Sequence, residues 1–185
     1  YLGSRKIYSN PQVDDIFLSN EMYDAVIPGC KPTAFLIDPT VDLASQCPTK
    51  QASGADLLSL GAWQDKLQAT PQTSKFQVTM GFNGVGAADP NNDTVPVLNR
   101  ADDLVNAAIA INKKFIWVSH TYNHSNLDCF DPVPNSGVCT RANAAQAGAE
   151  IDNNVVIATA LGLTADVASM ITPEISGLVN PDFIQ

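Results

Sequence analysis

The only two histidines of this chain, His120 and His124, lie four residues apart at the end of an apolar segment. Residues separated by four positions lie on the same side of a helical or tight turn, so both imidazoles can bind one metal ion. The alternative interpretation is a pair of hydrogen-bonded polar residues in a loop after a buried strand. The H-x-x-x-H pattern does not decide between the two, because it requires structural context.

Two adjacent carboxylates, Asp14 and Asp15, lie near the start of the chain. Taken alone, they are better explained as a solvated turn or a helix N-cap. Together with the histidines they indicate a metal site, because imidazole and carboxylate ligands suit zinc and neighbouring divalent ions. They follow a segment of partial apolar alternation, so we expect them at the end of a strand, where α/β barrels have their active sites.

Hydrophobic spacing predicts the elements that must position these residues. Helices are expected over 56–68, 99–113 and 141–161, and strands over 5–13, 76–82, 115–119 and 167–172. The long segment 19–53 is predicted to be irregular. Because strands and helices alternate, the sequence predicts an α/β fold with a mostly parallel sheet and right-handed crossovers. Trp117 is expected in the core, and Trp63 is expected in the core or an interface rather than as a sugar platform.

The composition restricts the classes of partner. The 185 residues are 45% hydrophobic, which suits one domain with a proper core. Lys and Arg number 10 against 19 Asp and Glu, and the net charge of -9 argues against binding to nucleic acid or anionic membranes. No apolar run reaches the roughly 20 residues of a membrane span. The chain begins at Tyr1 without a signal peptide, so we expect a mature product or an excised fragment.

The cysteines and glycosylation sequons favour a secreted protein, extracellular or in the cell wall. The four cysteines form two near pairs, Cys30 with Cys47 and Cys129 with Cys139. This spacing is typical of two local disulfides, and the sequence leaves the other connectivities open. Asn92, in a polar loop, is the predicted glycosylation site, whereas the sequon at Asn123 overlaps the histidines.

Four segments of the chain resemble one enzyme family. They are NPQVDDIFL (10–18), TMGFNGVGA (79–87), FIWVSHTYNHSNLD (115–128) and TPEISGL (172–178). Spread over nearly the whole chain, they resemble NodB-type polysaccharide deacetylases, most closely the secreted fungal galactosaminogalactan (exopolysaccharide) deacetylases. The resemblance implies a distorted (β/α) barrel. Residues 1–185 are expected to form the N-terminal portion of the catalytic domain, because only about four of the family's roughly seven core strands can be counted here.

The resemblance also implies residue roles. Asp14 would be the catalytic base, and Asp15, His120 and His124 would bind a divalent metal, with zinc first and cobalt or nickel as alternatives. The implied reaction is hydrolytic N-deacetylation of an N-acetylhexosamine-containing exopolysaccharide or cell-wall polysaccharide by metal-activated water. A further histidine that protonates the leaving amine in the family has no counterpart among these 185 residues.

Two other functions are alternatives to deacetylation. A non-catalytic carbohydrate-binding or cell-wall domain that retains the deacetylase fold would explain the missing histidine. A glycosidase would use two carboxylates roughly 5–10 Å apart and would need no histidine pair. A zinc protease of the H-E-x-x-H type is disfavoured, because Thr121 stands where that motif requires Glu. The sequence does not predict an oligomeric state.

Overall fold

The computed structural model describes residues 10–22, 48–92, 96–129, 140–163 and 166–184. Cys30, Cys47, Cys139 and most of the predicted strand 5–13 lie outside these residues. Cys129 is disulfide-bonded, and its pairing with Cys139 stays a prediction. Within the described ranges, no helix combines the length and apolarity that crossing a membrane requires.

The observed elements follow the predicted alternation of strands and helices. The strands are β1 (Gln12–Val13), β2 (Asn20–Glu21), β3 (Thr49–Lys50), β4 (Thr79–Phe82), β5 (Ile116–Ser119) and β6 (Asp166–Met170). The helices are α1 (Gly54–Gln68), α2 (Asp103–Ile111) and α3 (Ala144–Leu161). From α1 onward, each helix is followed by a strand, which confirms the α/β character of the chain.

Four strands form a parallel sheet in the order β1-β4-β5-β6. Val13 pairs with Met80, and Phe82 pairs with Ser119, so the carboxyl ends of β1, β4 and β5 lie along one edge. The described strands confirm the parallel sheet, whereas its closure into a distorted barrel stays a prediction. The segment expected to be irregular also contains β2 and β3, which form a separate antiparallel pair.

Each helix begins at a capping residue. Ser53 and Asp56 form a reciprocal capping box at α1, and the hydrogen bonds from Ser53 lower the pKa of the Asp56 carboxyl. The α2 helix begins at Asp103, later than predicted, because Asp102 caps it by accepting from the backbone of its first turn. Likewise α3 begins after Asn143 rather than at residue 141.

Aromatic side chains fill the core between the sheet and the helices. Phe17, Phe82 and Trp117 are each 1% exposed, and the ring centroids of Phe17 and Phe82 are 5.4 Å apart. The prediction that Trp117 is a core residue is therefore confirmed. Trp63 is not a core residue, since it is 46% exposed and contacts Phe76 edge to face. Phe76 precedes β4, so Trp63 lies towards the amino edge of the sheet, away from the ends that follow β1 and β5.

A short 3-10 turn after β4 packs directly onto the turn that follows Asp15. Gly86 in this turn has no room for a side chain, because an added Cβ would overlap the carbonyl oxygen of Phe17. The Gln51 side chain donates to the carbonyl oxygens of both Phe17 and Gly86, at 2.6 and 3.2 Å. This contact fixes the segment after β1 against the segment after β4.

Replacing Gly86 with Ala should destabilise the fold, because the added methyl group forces the two turns apart. We expect the free energy of unfolding to fall by roughly 1–3 kcal/mol, as for other overpacked sites. Gly148 is the matched control, since an added Cβ there has no neighbour within 4 Å and the residue lies within α3. Gly148→Ala should stabilise by roughly 0.5–1 kcal/mol. Urea unfolding measures both changes, and equal midpoints for the two variants would contradict the packing described here.

Candidate functional site

Asp15, His120 and His124 come together at the carboxyl edge of the sheet. Asp15 Oδ1 lies 3.5 Å from Nε2 of His120, and Asp15 Oδ2 lies 3.4 Å from Nε2 of His124. One ligand atom from each residue lies within 4.8 Å of the other two. The fold therefore brings together the three residues that the sequence predicts as metal ligands.

His120 is oriented by the backbone that follows β6. Its side chain is 5% exposed, and its Nδ1 lies 2.9 Å from the carbonyl oxygen of Ile171. Because a carbonyl oxygen can only accept, a proton is assigned to Nδ1, which leaves Nε2 facing Asp15 as the nitrogen that could bind a metal. A hydrogen bond from the second ring nitrogen is the usual way in which metal-binding histidines are oriented.

The arrangement fits a divalent cation. A neutral imidazole lone pair and a carboxylate oxygen repel each other unless a positive charge lies between them. The separations of 3.4 and 3.5 Å exceed the roughly 2.7–2.9 Å of a charge-assisted hydrogen bond. Each is close to the spacing of about 3.4 Å between two ligand atoms of a tetrahedral ion with bonds of about 2.0–2.1 Å, although the two histidines face different oxygens of Asp15. Within the described part of the chain, Asp15 Oδ1 is also buried without a hydrogen-bond partner.

Asp14 lies beside this group in a different environment. Its two carboxylate oxygens accept from the Gln12 side chain at 2.7 and 2.9 Å. An added Cβ on Gly81 of β4 would lie 2.5 Å from Asp14 Oδ1, so the absence of a side chain at Gly81 makes room for the carboxylate. Asp14 is exposed whereas Asp15 is half-buried. The two neighbouring carboxylates thus differ in their contacts and in their exposure to water.

Left-handed backbone conformations concentrate around these residues. The described non-glycine residues with positive φ are Asp15 (58°), Thr121 (61°), His124 (59°), Glu174 (54°) and Ile175 (56°). A β-branched residue in this region is a genuine outlier. Each such conformation costs roughly 1–3 kcal/mol and persists only where its surroundings hold it. Strain of this kind typically accompanies functional sites, and here it affects two of the three candidate ligands.

A buried carboxylate on α3 holds residues 120–125, which we call the histidine loop. Glu150 is 4% exposed. Its Oε2 accepts from the Asn123 N–H at 2.8 Å, and its Oε1 accepts from the Asn123 side chain and the Ser125 hydroxyl, both at 3.0 Å. An ionised carboxylate can only accept, so it satisfies all three donors. Burial, followed by the nearby Glu150 charge, raises the pKa of Tyr122 in the same loop.

Two buried asparagines brace the same region. Asn83 donates to the carbonyl oxygens of His120 and Thr121, at 2.5 and 3.0 Å. Asn154 on α3 accepts from the Gly84 N–H at 2.6 Å and donates to groups at the ends of β4 and β5. The conformation of the histidine loop is thus fixed from both β4 and α3.

The sequence patterns do not identify these bracing residues, although one signal is present. Glu150 and Asn154 lie on the buried face of α3, in a stripe with Ala147, Ile157 and Leu161. Polar residues within an apolar stripe indicate buried hydrogen bonding, because leaving them unpaired would be costly. The stripe does not reveal which groups they bind, since those groups lie in other segments.

The segment 172–178 packs against the loop that follows His124. Glu174 accepts from the Asn126 side chain at 2.6 Å, and the Ser176 hydroxyl accepts from the Leu127 N–H at 2.9 Å. All four segments that carry the family resemblance therefore meet at one end of the sheet.

The two sequons differ in what a glycan would disturb. Asn92 is exposed, and the rest of its sequon lies outside the described residues, so its glycosylation stays a prediction. The Asn123 side chain donates to Glu150, and a glycan there would remove a hydrogen bond that holds the histidine loop.

Comparison with known proteins identifies the fold class. No protein-family model matches the chain, and no curated protein matches it. Among solved structures it is similar to a carbohydrate deacetylase. That structure is the crystal structure of Agd3, which is described as a novel carbohydrate deacetylase, with a TM-score of 0.67 and 20% identity. The match covers 100% of this chain and 31% of the Agd3 chain. The described residues thus have a deacetylase-like α/β fold with a parallel sheet, and at this identity the likeness concerns the fold.

We expect Glu150→Gln to weaken binding of a divalent metal such as zinc by about tenfold, the lower end of the range for a ligand's own hydrogen-bond partner, because Glu150 bonds the residues on either side of His124 and not His124 itself. The NH₂ half of the introduced amide would face donors from which a carboxylate oxygen now accepts, so the loop beside His124 would lose at least one of the hydrogen bonds that hold it. Titration of the metal-free protein with zinc against a chromophoric chelator measures the affinity, and thermal unfolding of the same sample measures stability.

Asp152→Asn, at an exposed position of the same helix, is the control for the loss of one negative charge. Its zinc affinity should equal that of the wild type. A Glu150→Gln protein with lowered thermal stability but unchanged zinc affinity would show that Glu150 serves the fold and does not position the site.

Proposed function

We propose that this chain is the catalytic portion of a metal-dependent polysaccharide deacetylase, which removes N-acetyl groups from an N-acetylhexosamine polymer by hydrolysis. One observation carries the proposal: an Asp/His/His cluster with the spacing of metal ligands lies at the carboxyl edge of a deacetylase-like sheet. In α/β sheets, that edge is where ligands bind.

Asp15, His120 and His124 would hold the ion, and the donor set of one carboxylate and two imidazoles suits zinc, with cobalt or nickel as alternatives. When bound, a divalent ion supplies Lewis acidity, which lowers the pKa of water and stabilises negative charge on an acyl oxygen. The backbone carbonyl of Ile171 keeps the His120 Nδ1 protonated and its Nε2 available.

Asp14 is suited to act as the general base. Its carboxylate is exposed to water, and Gln12 and Gly81 fix its position beside the three ligands. In the reaction, water adds to the acetamide carbon, the C–N bond breaks, and acetic acid and a free amine are released; the acid then loses its proton to the solvent or to the amine. The proton that Asp14 takes from water equals the proton that the leaving nitrogen gains, so the same carboxylate can serve both transfers.

The proposal also covers the domain to which the chain belongs, the location of the protein and the charge of its substrate. The chain spans about a third of the length of Agd3. We therefore propose that it is the N-terminal portion of a longer catalytic domain. The cysteine pairs and the Asn92 sequon support a secreted or cell-wall location. The net charge of -9 suits a neutral or cationic polymer rather than an anionic one.

Asp14→Asn and Asp15→Ala should have different effects, and this difference tests the proposal. Asp14→Asn should retain about one zinc per chain but lower kcat for acetate release by roughly 10²–10⁴-fold, as expected for loss of a general base. Asp15→Ala should lose both zinc and activity. Elemental analysis and an acetate-release assay on an N-acetylhexosamine tetramer provide the two readouts.

Asp152→Asn again serves as the control and should retain both zinc and activity. If the wild-type chain binds zinc and the tetramer but releases no acetate, the non-catalytic carbohydrate-binding alternative would replace deacetylation. If it binds no divalent ion when zinc or cobalt is supplied, the metal site itself would be wrong.

A further inference from the structure

A cavity of about 350 Å³ lies next to the histidine loop and outside the Asp15, His120 and His124 cluster. The residues that line it come from the turn after β4 and the segment beyond that turn, the loop after β5 and one face of α3, and they include Val85, Asp89, Pro90, Asn92, Tyr122 and Asn153. The volume falls at the lower end of the roughly 300–1,000 Å³ range of small-molecule sites. One sugar unit fits a cavity of this size.

The wall of this cavity is continuous with the loop that carries the histidines. Tyr122 lies between His120 and His124 in sequence, and its carbonyl oxygen accepts from the Val85 N–H at 3.2 Å. Its own N–H donates to the carbonyl oxygen of Glu150 at 3.1 Å. A ligand in the cavity would therefore contact the same braced loop that positions the candidate metal ligands, at the same edge of the sheet.

The cavity lining combines apolar surface with free polar groups. Within the described residues, no hydrogen bond engages the Tyr122 hydroxyl or the Asn153 side-chain amide. Asp89 uses Oδ1 to accept from the backbone and side chain of Asn91, at 2.9 and 3.0 Å, and among the described residues no hydrogen bond engages its Oδ2. These groups can donate to and accept from hydroxyl or acetamido groups. Val85, Pro90 and the tyrosine ring supply the apolar contacts that a sugar ring also requires.

The charge of the lining restricts the ligand class. It contains one carboxylate, Asp89, and no cationic side chain among the described lining residues. An anionic ligand such as a phosphate or a uronate would be repelled. A neutral or amino sugar matches the lining in charge, because it is not anionic. It also matches the lining in polarity, because it offers many hydroxyl groups and an apolar ring face.

We propose that this cavity is a subsite for a second sugar unit of the polymer, next to the unit whose acetyl group is removed. The proposal rests on the proposed deacetylase function and adds a consequence to it. A single N-acetylhexosamine can occupy only one of the two positions, whereas an oligomer occupies both. The chain should therefore prefer oligomers, and residues of the cavity should control this preference without contributing to metal binding.

The test compares Asn153→Ala and Tyr122→Phe with the wild type and with Thr159→Ala, an exposed control on the same helix. The first readout is the ratio of kcat/KM for an N-acetylhexosamine tetramer to that for the monomer, measured with zinc-loaded protein. We expect each cavity variant to lower this ratio about five- to tenfold, the effect of one lost hydrogen bond. Thr159→Ala should leave the ratio unchanged.

The second readout is calorimetric binding of the tetramer to metal-free protein, which does not depend on turnover. The Kd should rise by a similar factor in both cavity variants. If acetate is released but neither the ratio nor the Kd changes in the variants, the subsite is wrong and the deacetylase function stands. If no acetate is released but the Kd still rises, the sugar subsite stands and the deacetylase function fails.

Discussion

The site depends on β1 and β5 lying parallel on either side of β4. This pairing directs the segments after both outer strands to one edge, where Asp15 meets His120 and His124. The strand between them must leave space for the carboxylate pair, and Gly81 does so, because any larger residue would displace Asp14. A change in the register of β4 would therefore separate the carboxylates from the imidazoles, even if each strand remained intact.

Buried polar groups help to hold the loop that carries the histidines. Thr121 and His124 adopt left-handed conformations that are unfavourable on their own. Hydrogen bonds from Asn83 and to Glu150 compensate for this cost, and the bonds from Asn83 are fully buried. The same bonds fix one wall of the neighbouring cavity, so metal binding and sugar binding would depend on one rigid unit.

The likeness to a carbohydrate deacetylase and the chemistry of the site answer different questions about this chain. The likeness concerns the course of the backbone, at 20% identity. The chemistry concerns the donor atoms, which include a buried carboxylate oxygen without a hydrogen bond and a histidine whose protonated nitrogen faces a carbonyl group. A fold can host several functions, so the donor atoms carry the functional proposal.

The sequence by itself determined the alternation of helices and strands, the end of the first helix at Gln68, the burial of Trp117 and the position of His120 at a strand end. The spacing of hydrophobic residues and the presence of capping residues are local features, so they can be recognised within a few residues of sequence. The tertiary structure decided the strand order, the pairing of β2 with β3 and the exposure of Trp63. It also decided that Glu150 holds the histidine loop. These features depend on contacts between segments that are distant in the sequence. A local pattern can predict that a side chain is buried, but it does not predict which residues contact that side chain.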